Sequence, residues 1–214
     1  MIRRTNTLNN TWNKFIYKIW SPVYDKFFNA GYFLVARKKV FHEMTFVHQQ
    51  KVLFVGVGTG ADLELINPDE LDIIAIDYSE YMLNKARKKF KNSSIQFLEM
   101  DAQAMDFESN QFDLVIDSLV LSGVPNAEAC FREMARFLKP GGEMLLFDKF
   151  LLKERNLSFP KKIFRPVIKL LGTDIGLNFE KLFENNKGVL LIKEDVPVMF
   201  NGLYRKIVLS KQAL

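Results

Sequence analysis

The stretch Lys51–Asp62 reads KVLFVGVGTGAD. Its apolar run, Val52–Val55, stops at three glycines spaced two apart, Gly56, Gly58 and Gly60. The residues that follow, Ala61-Asp62-Leu63-Glu64-Leu65-Ile66, are expected to start a helix. Strand, glycine turn and helix in succession let a backbone come close to a nucleotide-like ligand. Several ligand classes use that arrangement, so the downstream segments must decide among them.

From Lys51 onward, strands and helices alternate. Leu71–Ile76 is a second apolar run and ends in Asp77. Ser79–Phe90 reads as a helix capped by Ser79, with Met82, Leu83 and Ala86 inward and Lys85, Arg87, Lys88 and Lys89 outward. Ile95–Leu98 is a third strand, leading into Asp101-Ala102, and Phe112–Ile116 is a fourth, followed by Asp117-Ser118-Leu119. A helix from about Asn126 to Leu138 is expected to end at Lys139-Pro140-Gly141-Gly142, before a fifth strand, Glu143–Phe147. This alternation predicts an α/β fold, a parallel sheet with helices on both faces, whose ligands bind at the carboxyl ends of the strands. Gly56–Gly60, Asp77, Asp101-Ala102 and Asp117–Leu119 all fall at those ends. Near the C-terminus, Lys187–Val196 and Leu203–Leu209 read as an antiparallel hairpin closing the sheet edge.

Residues 1–50 read as a helical extension, a lid on the substrate side, and residues 51–214 as one ligand-binding domain. Leu8, Trp12, Phe15, Ile16 and Ile19 share one helical face, with Lys14 and Lys18 on another. Such a face suits packing on the domain or contact with a membrane interface. A third helix, about Tyr32 to Val47, is expected to expose Arg37, Lys38 and Lys39. A second basic stretch, Phe150–Gly172, interleaves Lys153, Arg155, Lys161, Lys162, Arg165 and Lys169 with apolar residues.

The net charge is +5. That suits a solvated surface or an anionic partner such as a membrane face. No apolar run approaches the roughly 20 residues of a membrane span, and no signal peptide is read at the start. A lone cysteine, Cys130, excludes an internal disulfide, and with only His42 and His48 beside it no metal site is expected. Cys130 itself reads as a buried packing residue. A cytoplasmic setting, with peripheral contact at the inner membrane face, is the expectation.

Gly56, Gly58 and Ala61, with Asp77 about 20 residues on, also satisfy the dinucleotide fingerprint, so an NAD enzyme stays open on these residues alone. The segments IAIDYSEYMLNKARKKF, FLEMDAQAMDF and FDLVIDSLVLSGVPNAEACFREMARFLKPGGEMLLFD weigh differently. In that order and spacing they resemble the class I S-adenosylmethionine-dependent methyltransferases over about residues 50–150. The resemblance implies a Rossmann-like, doubly wound seven-stranded sheet whose last strand is antiparallel. It implies S-adenosyl-L-methionine as cofactor. Gly56, Gly58 and Gly60 would face its methionine and ribose, Asp77 its ribose hydroxyls, and Tyr78 and Met82 its adenine. Asp101 would meet the adenine amino group, with Ala102 lending a backbone contact, and Asp117 and Ser118 would lie near the methionine end and the sulfonium. The family usually has an acidic residue two before the first glycine. Here that position is Phe54, and Asp62 and Asp117 are the candidates to replace the lost carboxylate.

WSPVYDKFFNAGYFLVARKKV, ahead of the glycine strand, resembles the start of bacterial phosphatidylethanolamine N-methyltransferases and of quinone-biosynthesis C-methyltransferases. Tyr24 would then reach over the cofactor as the candidate catalytic residue. The expected function is methyl transfer to a lipid or lipid-like acceptor, either the phosphatidylethanolamine amine or a quinone precursor. The alternatives are a soluble small-molecule acceptor, an NAD-binding enzyme, or an inactive cofactor-binding relative. No nucleic-acid partner is expected, because neither an appended module nor the Asn/Asp-Pro-Pro-Tyr/Phe signature is present.

Overall fold

The computed structural model describes residues 30–151 and 176–213 of the chain. Among these, seven strands form one sheet: β1 (Lys51–Val55), β2 (Asp72–Asp77), β3 (Gln96–Glu99), β4 (Phe112–Ser118), β5 (Leu138–Lys149), β6 (Leu190–Met199) and β7 (Tyr204–Lys211). Their order is β3-β2-β1-β4-β5-β7-β6. β1 to β5 pair in parallel, whereas β7 runs antiparallel to both β5 and β6. The last strand is therefore antiparallel, as expected. The hairpin closes the edge by inserting β7 between β5 and β6. Strand order reverses between β1 and β4, and the crevice at that reversal is where an open α/β sheet receives its ligand.

Among the described residues, four helices cover the sheet: α1 (Gly31–His42), α2 (Glu80–Lys89), α3 (Ala127–Phe137) and α4 (Phe179–Glu184). Side chains alternate across each strand, so β1 feeds two cores. Val52 and Phe54 face one layer with Phe33, Val40 and Phe41 of α1 and Leu83 of α2. Leu53 and Val55 face the other with Cys130, Phe131 and Met134 of α3 and Phe179 and Leu182 of α4. Burial on both faces is why the parallel strands read as unbroken apolar runs. α2 has its expected cap, the Ser79 hydroxyl accepting from Met82 N at 3.4 Å, and its expected inner face of Met82, Leu83 and Ala86. α3 is capped by Asn126, whose side chain accepts from Ala129 N at 3.0 Å.

β7 is nearly all buried yet carries two consecutive cations, and both are paired. Arg205 Nε lies 2.9 Å from Asp195 Oδ1 and Nη2 3.1 Å from Glu180, with the guanidinium over the rings of Phe150 and Phe179. Lys206 Nζ lies 3.0 Å from both Glu43 and Glu194. A buried cation left alone would cost several kcal/mol, about 3–5 when one partner of such a pair is removed.

Four local expectations need correction. The glycine turn leads into no α-helix: two short 3-10 turns, Leu63–Leu65 and Pro68–Glu70, fill the interval to β2. Pro68 forces the residue before it out of helical geometry, and Asn67 is accordingly extended (φ −95°, ψ 94°). Arg37 is buried rather than exposed, its Nε 2.6 Å from Asp62 Oδ1, and α1 stops at His42 instead of reaching Val47. The LKPGG segment belongs to β5, which starts at Leu138 directly after α3. The pairing with β4 jumps from Phe112↔Leu138 to Leu114↔Glu143, so Lys139–Gly142 bulges out within the strand. Gly142 fits there because a Cβ would stand 3.0 Å from the carbonyl oxygens of Asp113 and Lys139.

The two basic aromatic stretches, 8–20 and 153–169, and Tyr24 lie outside the described residues, as does most of the expected N-terminal lid. No helix among the described residues is long and apolar enough to cross a membrane.

Candidate functional site

The carboxyl ends of β1, β2 and β4 meet around the glycine turn. Gly56, Gly58 and Gly60 all have left-handed backbones (φ +65°, +55° and +77°). The surroundings differ. A Cβ on Gly56 would overlap Val120 Cγ2 and stand 3.3 Å from Val120 Cβ, so the first glycine is needed by the loop after β4. A Cβ on Gly60 would stand 2.8 Å from the Phe90 ring. Around Gly58 no heavy atom lies within 4 Å of the Cβ position. Gly58 thus turns a bare backbone toward open space.

Asp77 holds that turn in place. Its Oδ2 accepts from Gly58 N at 2.8 Å and its Oδ1 from Ser79 N at 2.8 Å. Burial outweighs those two bonds and pushes its pKa up to about 6. The carbonyl of Asp77 accepts from Met100 N at 3.0 Å, which ties the end of β2 to the segment carrying Asp101. Asp101 Oδ1 accepts from both N and Nε2 of Gln103 at 2.9 Å, and Gln103 Oε1 accepts from Asn126 N at 2.8 Å. A continuous set of bonds therefore runs from the glycine turn through Asp77 and Asp101 to the start of α3. Tyr78 is partly exposed beside it, whereas Met82 and Ala102 are buried, at 3% and 7% exposure. Ala102 packs into the α3-side core.

Asp117 is fully buried at the end of β4. Its Oδ1 accepts from Leu121 N at 3.1 Å, and its Oδ2 has no hydrogen-bond partner. Burial first, then the charge of Asp148, hold its carboxyl well above the usual range. Ser118, the next residue, is the last of β4 and half-buried. Leu119 then takes a left-handed backbone (φ 65°), rare outside glycine, with its N–H bonded to Phe147 O at 2.9 Å.

Asp148, at the end of β5, was not among the expected site residues. It is fully buried and accepts from Ser122 N at 2.9 Å and Lys149 N at 2.6 Å, and burial raises its pKa as well. The signal was present: a carboxylate just past an apolar run, as at Asp77 and Asp117. Ending the fifth strand at Phe147 passed over it. Gln103 carried no such signal, since its role depends on Asn126 coming close in space.

Phe54 is 2% exposed and stacked on Phe41, with ring centroids 6.5 Å apart and planes 12° apart. The position where a carboxylate was expected thus belongs to the apolar layer beneath α1. Of the two candidates to replace it, Asp62 is already bound to Arg37 and Asp117 keeps one oxygen free. The bare backbone at Gly58, the Asp77 carboxylate beside it and the unsatisfied Asp117 oxygen fit a nucleoside with a cationic amino-acid tail, as the resemblance implies.

Comparison with known proteins agrees. A family profile described as "Methyltransferase domain" matches residues 53–146. The chain is 30% identical to the phosphatidylethanolamine N-methyltransferase of Cereibacter sphaeroides over 158 residues, 72% of this chain and 76% of that one. It is 31% identical over 131 residues to the ubiquinone/menaquinone biosynthesis C-methyltransferase of Vibrio cholerae, 58% of this chain but only 46% of that one. Among solved structures, the N-methyltransferase NodS of Bradyrhizobium japonicum, in complex with S-adenosyl-L-homocysteine, superposes with a TM-score of 0.66 at 14% identity. That match takes in 87% of this chain and 90% of the other. The sheet order, the glycine turn between β1 and β2 and these relationships lead to one conclusion: the chain belongs to the class I S-adenosylmethionine-dependent methyltransferases, with S-adenosylmethionine as its cofactor.

Proposed function

We propose that the protein transfers a methyl group to a lipid or lipid-like acceptor, a phosphatidylethanolamine-type amine or a quinone precursor. The observation that carries this reading is the 30% identity, over three quarters of its length, to an enzyme named phosphatidylethanolamine N-methyltransferase. The bound cofactor supplies an electrophilic methyl on a sulfonium, whose leaving group needs no protonation. What remains for the chain is binding, alignment and exclusion of water, and orientation of this kind can supply roughly 7–11 kcal/mol.

In this reading Asp77 accepts from the ribose hydroxyls while its bonds to Gly58 N and Ser79 N keep the carboxylate from turning away. Gly58 admits the ligand where any side chain would fill the space. Asp101, braced by Gln103, and the backbone of Ala102 receive the adenine edge, with Tyr78 against its ring and Met82 packed behind. Val120 and Leu121, fixed by the left-handed Leu119 and by the Asp117 bond, wall off water beside the methionine end. Tyr24 is proposed to lie over the cofactor on the acceptor side, and the basic aromatic stretches 8–20 and 153–169 to dock on an anionic membrane face.

The test is a radiolabelled-methyl assay against phosphatidylethanolamine vesicles, a demethylated quinone precursor and a small-metabolite extract. Label in a lipid-extractable product supports the proposal. Label only in water-soluble products refutes the acceptor class and leaves the soluble small-molecule alternative.

A further inference from the structure

We propose that Asp117 and Asp148 form a buried subsite for a primary ammonium group, with Asp117 Oδ2 as the contacting atom. The proposal rests on the cofactor reading above and adds what receives positive charge at the sheet end. β4 and β5 pair through Asp117↔Leu146 and Ser118↔Phe147, so Asp148 stands two residues further along β5 and on the same face as Asp117. Both carboxylates are fully buried, and they grip consecutive residues of one loop, Asp117 taking Leu121 N and Asp148 taking Ser122 N. Of the four oxygens, three accept backbone N–H groups, from Leu121, Ser122 and Lys149. The fourth, Asp117 Oδ2, meets no donor at hydrogen-bonding geometry, although the Val120 N–H also lies close enough to the carboxyl to favour its ionised form. Buried polar atoms in folded proteins are nearly always paired, and an exception calls for an explanation.

The surrounding charge says what would satisfy it. From the loop after β1, Asp62 adds negative potential at Asp117, although Arg37 of α1 is bound to it. From α3 the Cys130 thiol, itself pushed up by burial and by the nearby carboxylates, adds no cation. Lys149 gives Asp148 its backbone N–H and some positive charge; on β7, Tyr204 feels the charge of Asp148, and Arg205 is bound to Asp195 and Glu180 through Nε and Nη2 while its Nη1 has no partner. No group of three or more metal-binding side chains occurs among the described residues. An ammonium, a compact charge with three donors, suits a single free carboxylate oxygen. Two groups in this chemistry bring one: the amino-acid end of the cofactor and an acceptor amine.

Burial raises both carboxyls above the usual range, and the charge of Asp148 raises Asp117 further, so an ammonium bound there is expected to drive off a proton. Calorimetry on the full chain in phosphate and in Tris at neutral pH reads that proton directly. The probes are S-adenosylhomocysteine, methylthioadenosine (the same nucleoside without the ammonium), and glycerophosphoethanolamine added to the S-adenosylhomocysteine complex. The variant is Asp117→Asn, which keeps an oxygen for Leu121 N. A thermal melt of the variant controls for folding.

If the cofactor supplies the ammonium, S-adenosylhomocysteine binds the wild type with proton release, and Asp117→Asn weakens it about tenfold or more while sparing methylthioadenosine. If the acceptor supplies it, Asp117→Asn spares both nucleosides and abolishes the proton-linked binding of glycerophosphoethanolamine. Equal loss for both nucleosides, or no loss and no proton release with any probe, overturns the subsite. A wild type that binds neither nucleoside overturns the cofactor reading itself, which is a separate result.

Discussion

Replacing Gly56 or Gly58 by alanine should separate two glycines that look equivalent in sequence. Both have φ above +50°, where an L-residue is strained by roughly 1–2 kcal/mol. Part of that is offset by the lower chain entropy of alanine in the unfolded state, about 0.4–1 kcal/mol. At Gly58 the new methyl meets no atom within 4 Å, so strain is the whole effect and the loss of stability is about 1 kcal/mol. At Gly56 the methyl overlaps Val120 Cγ2. Overpacking of this kind adds about 1–3 kcal/mol, for a total of about 2–4. Val120→Ala removes the overlapping methyl and leaves its Cβ 3.3 Å from the new one, a tight but tolerable approach. The Gly56→Ala/Val120→Ala double variant should therefore recover most of the overpacking energy as a coupling of about 1–3 kcal/mol, with the backbone strain unrelieved. Urea unfolding followed by far-ultraviolet circular dichroism gives all four corners of the cycle. Calorimetry with S-adenosylhomocysteine gives the converse, since the Gly58→Ala methyl stands in the space assigned to the ligand. A Gly56→Ala variant no less stable than Gly58→Ala, or a coupling of zero, would refute the assignment of Gly56 to the loop after β4.

Two further outcomes follow from buried charge. Asp77 has a folded pKa of about 6 against an ordinary 3.8, so the folded chain holds an extra proton between those values. The stability this gives at about pH 4 is lost as pH rises through about 6, and Asp77→Asn should flatten that slope in urea titrations; an unchanged slope removes the assignment. Affinity for S-adenosylhomocysteine should rise over the same interval, because the ribose hydroxyls need the ionised carboxylate. At the other carboxylate, Asp62→Ala leaves the buried Arg37 without its 2.6 Å partner and should cost about 3–5 kcal/mol. Lys187→Ala, which breaks an exposed pair with Glu184, should cost less than about 0.5 kcal/mol. Equal effects in the two variants would mean that Arg37 does not depend on Asp62.

Where one chain segment sufficed, sequence and structure agree. The glycine turn, the Ser79 cap, and Asp77 and Asp117 at their strand ends depend on neighbours a few positions away, and these were legible. The Asp77–Gly58 bond follows from the same local pattern, since the ends of β1 and β2 are adjacent in a parallel sheet. Long-range pairing was hidden. Arg37 looked like one of three exposed cations because nothing nearby in sequence announces Asp62, 25 positions away. The Gln103–Asn126 link and the pairing of Asp148 with the loop after β4 have the same origin. Boundaries failed for a different reason. Pro68 outweighed the helical pattern of residues 61–66, and Pro140-Gly141-Gly142 proved to be a bulge within a strand, where the same residues more often end an element.

The stack of Phe54 on Phe41 makes the identity of position 54 contingent on its neighbour. A one-step change of Phe54 to Asp or Glu would set an unpaired charge against an aromatic face in a layer closed by Phe33, Val40 and Phe41, at a cost of several kcal/mol. For a domain with about 5–15 kcal/mol of total stability, that intermediate is hard to pass through. Restoring an acid at the head of the glycine turn would first require changes on α1, so the last turn of that helix, which carries Phe41, acts as an evolutionary ratchet. Variation at 54 and 41 across descendants of this chain should therefore be correlated, with acidic residues at 54 found only where 41 is no longer a large aromatic.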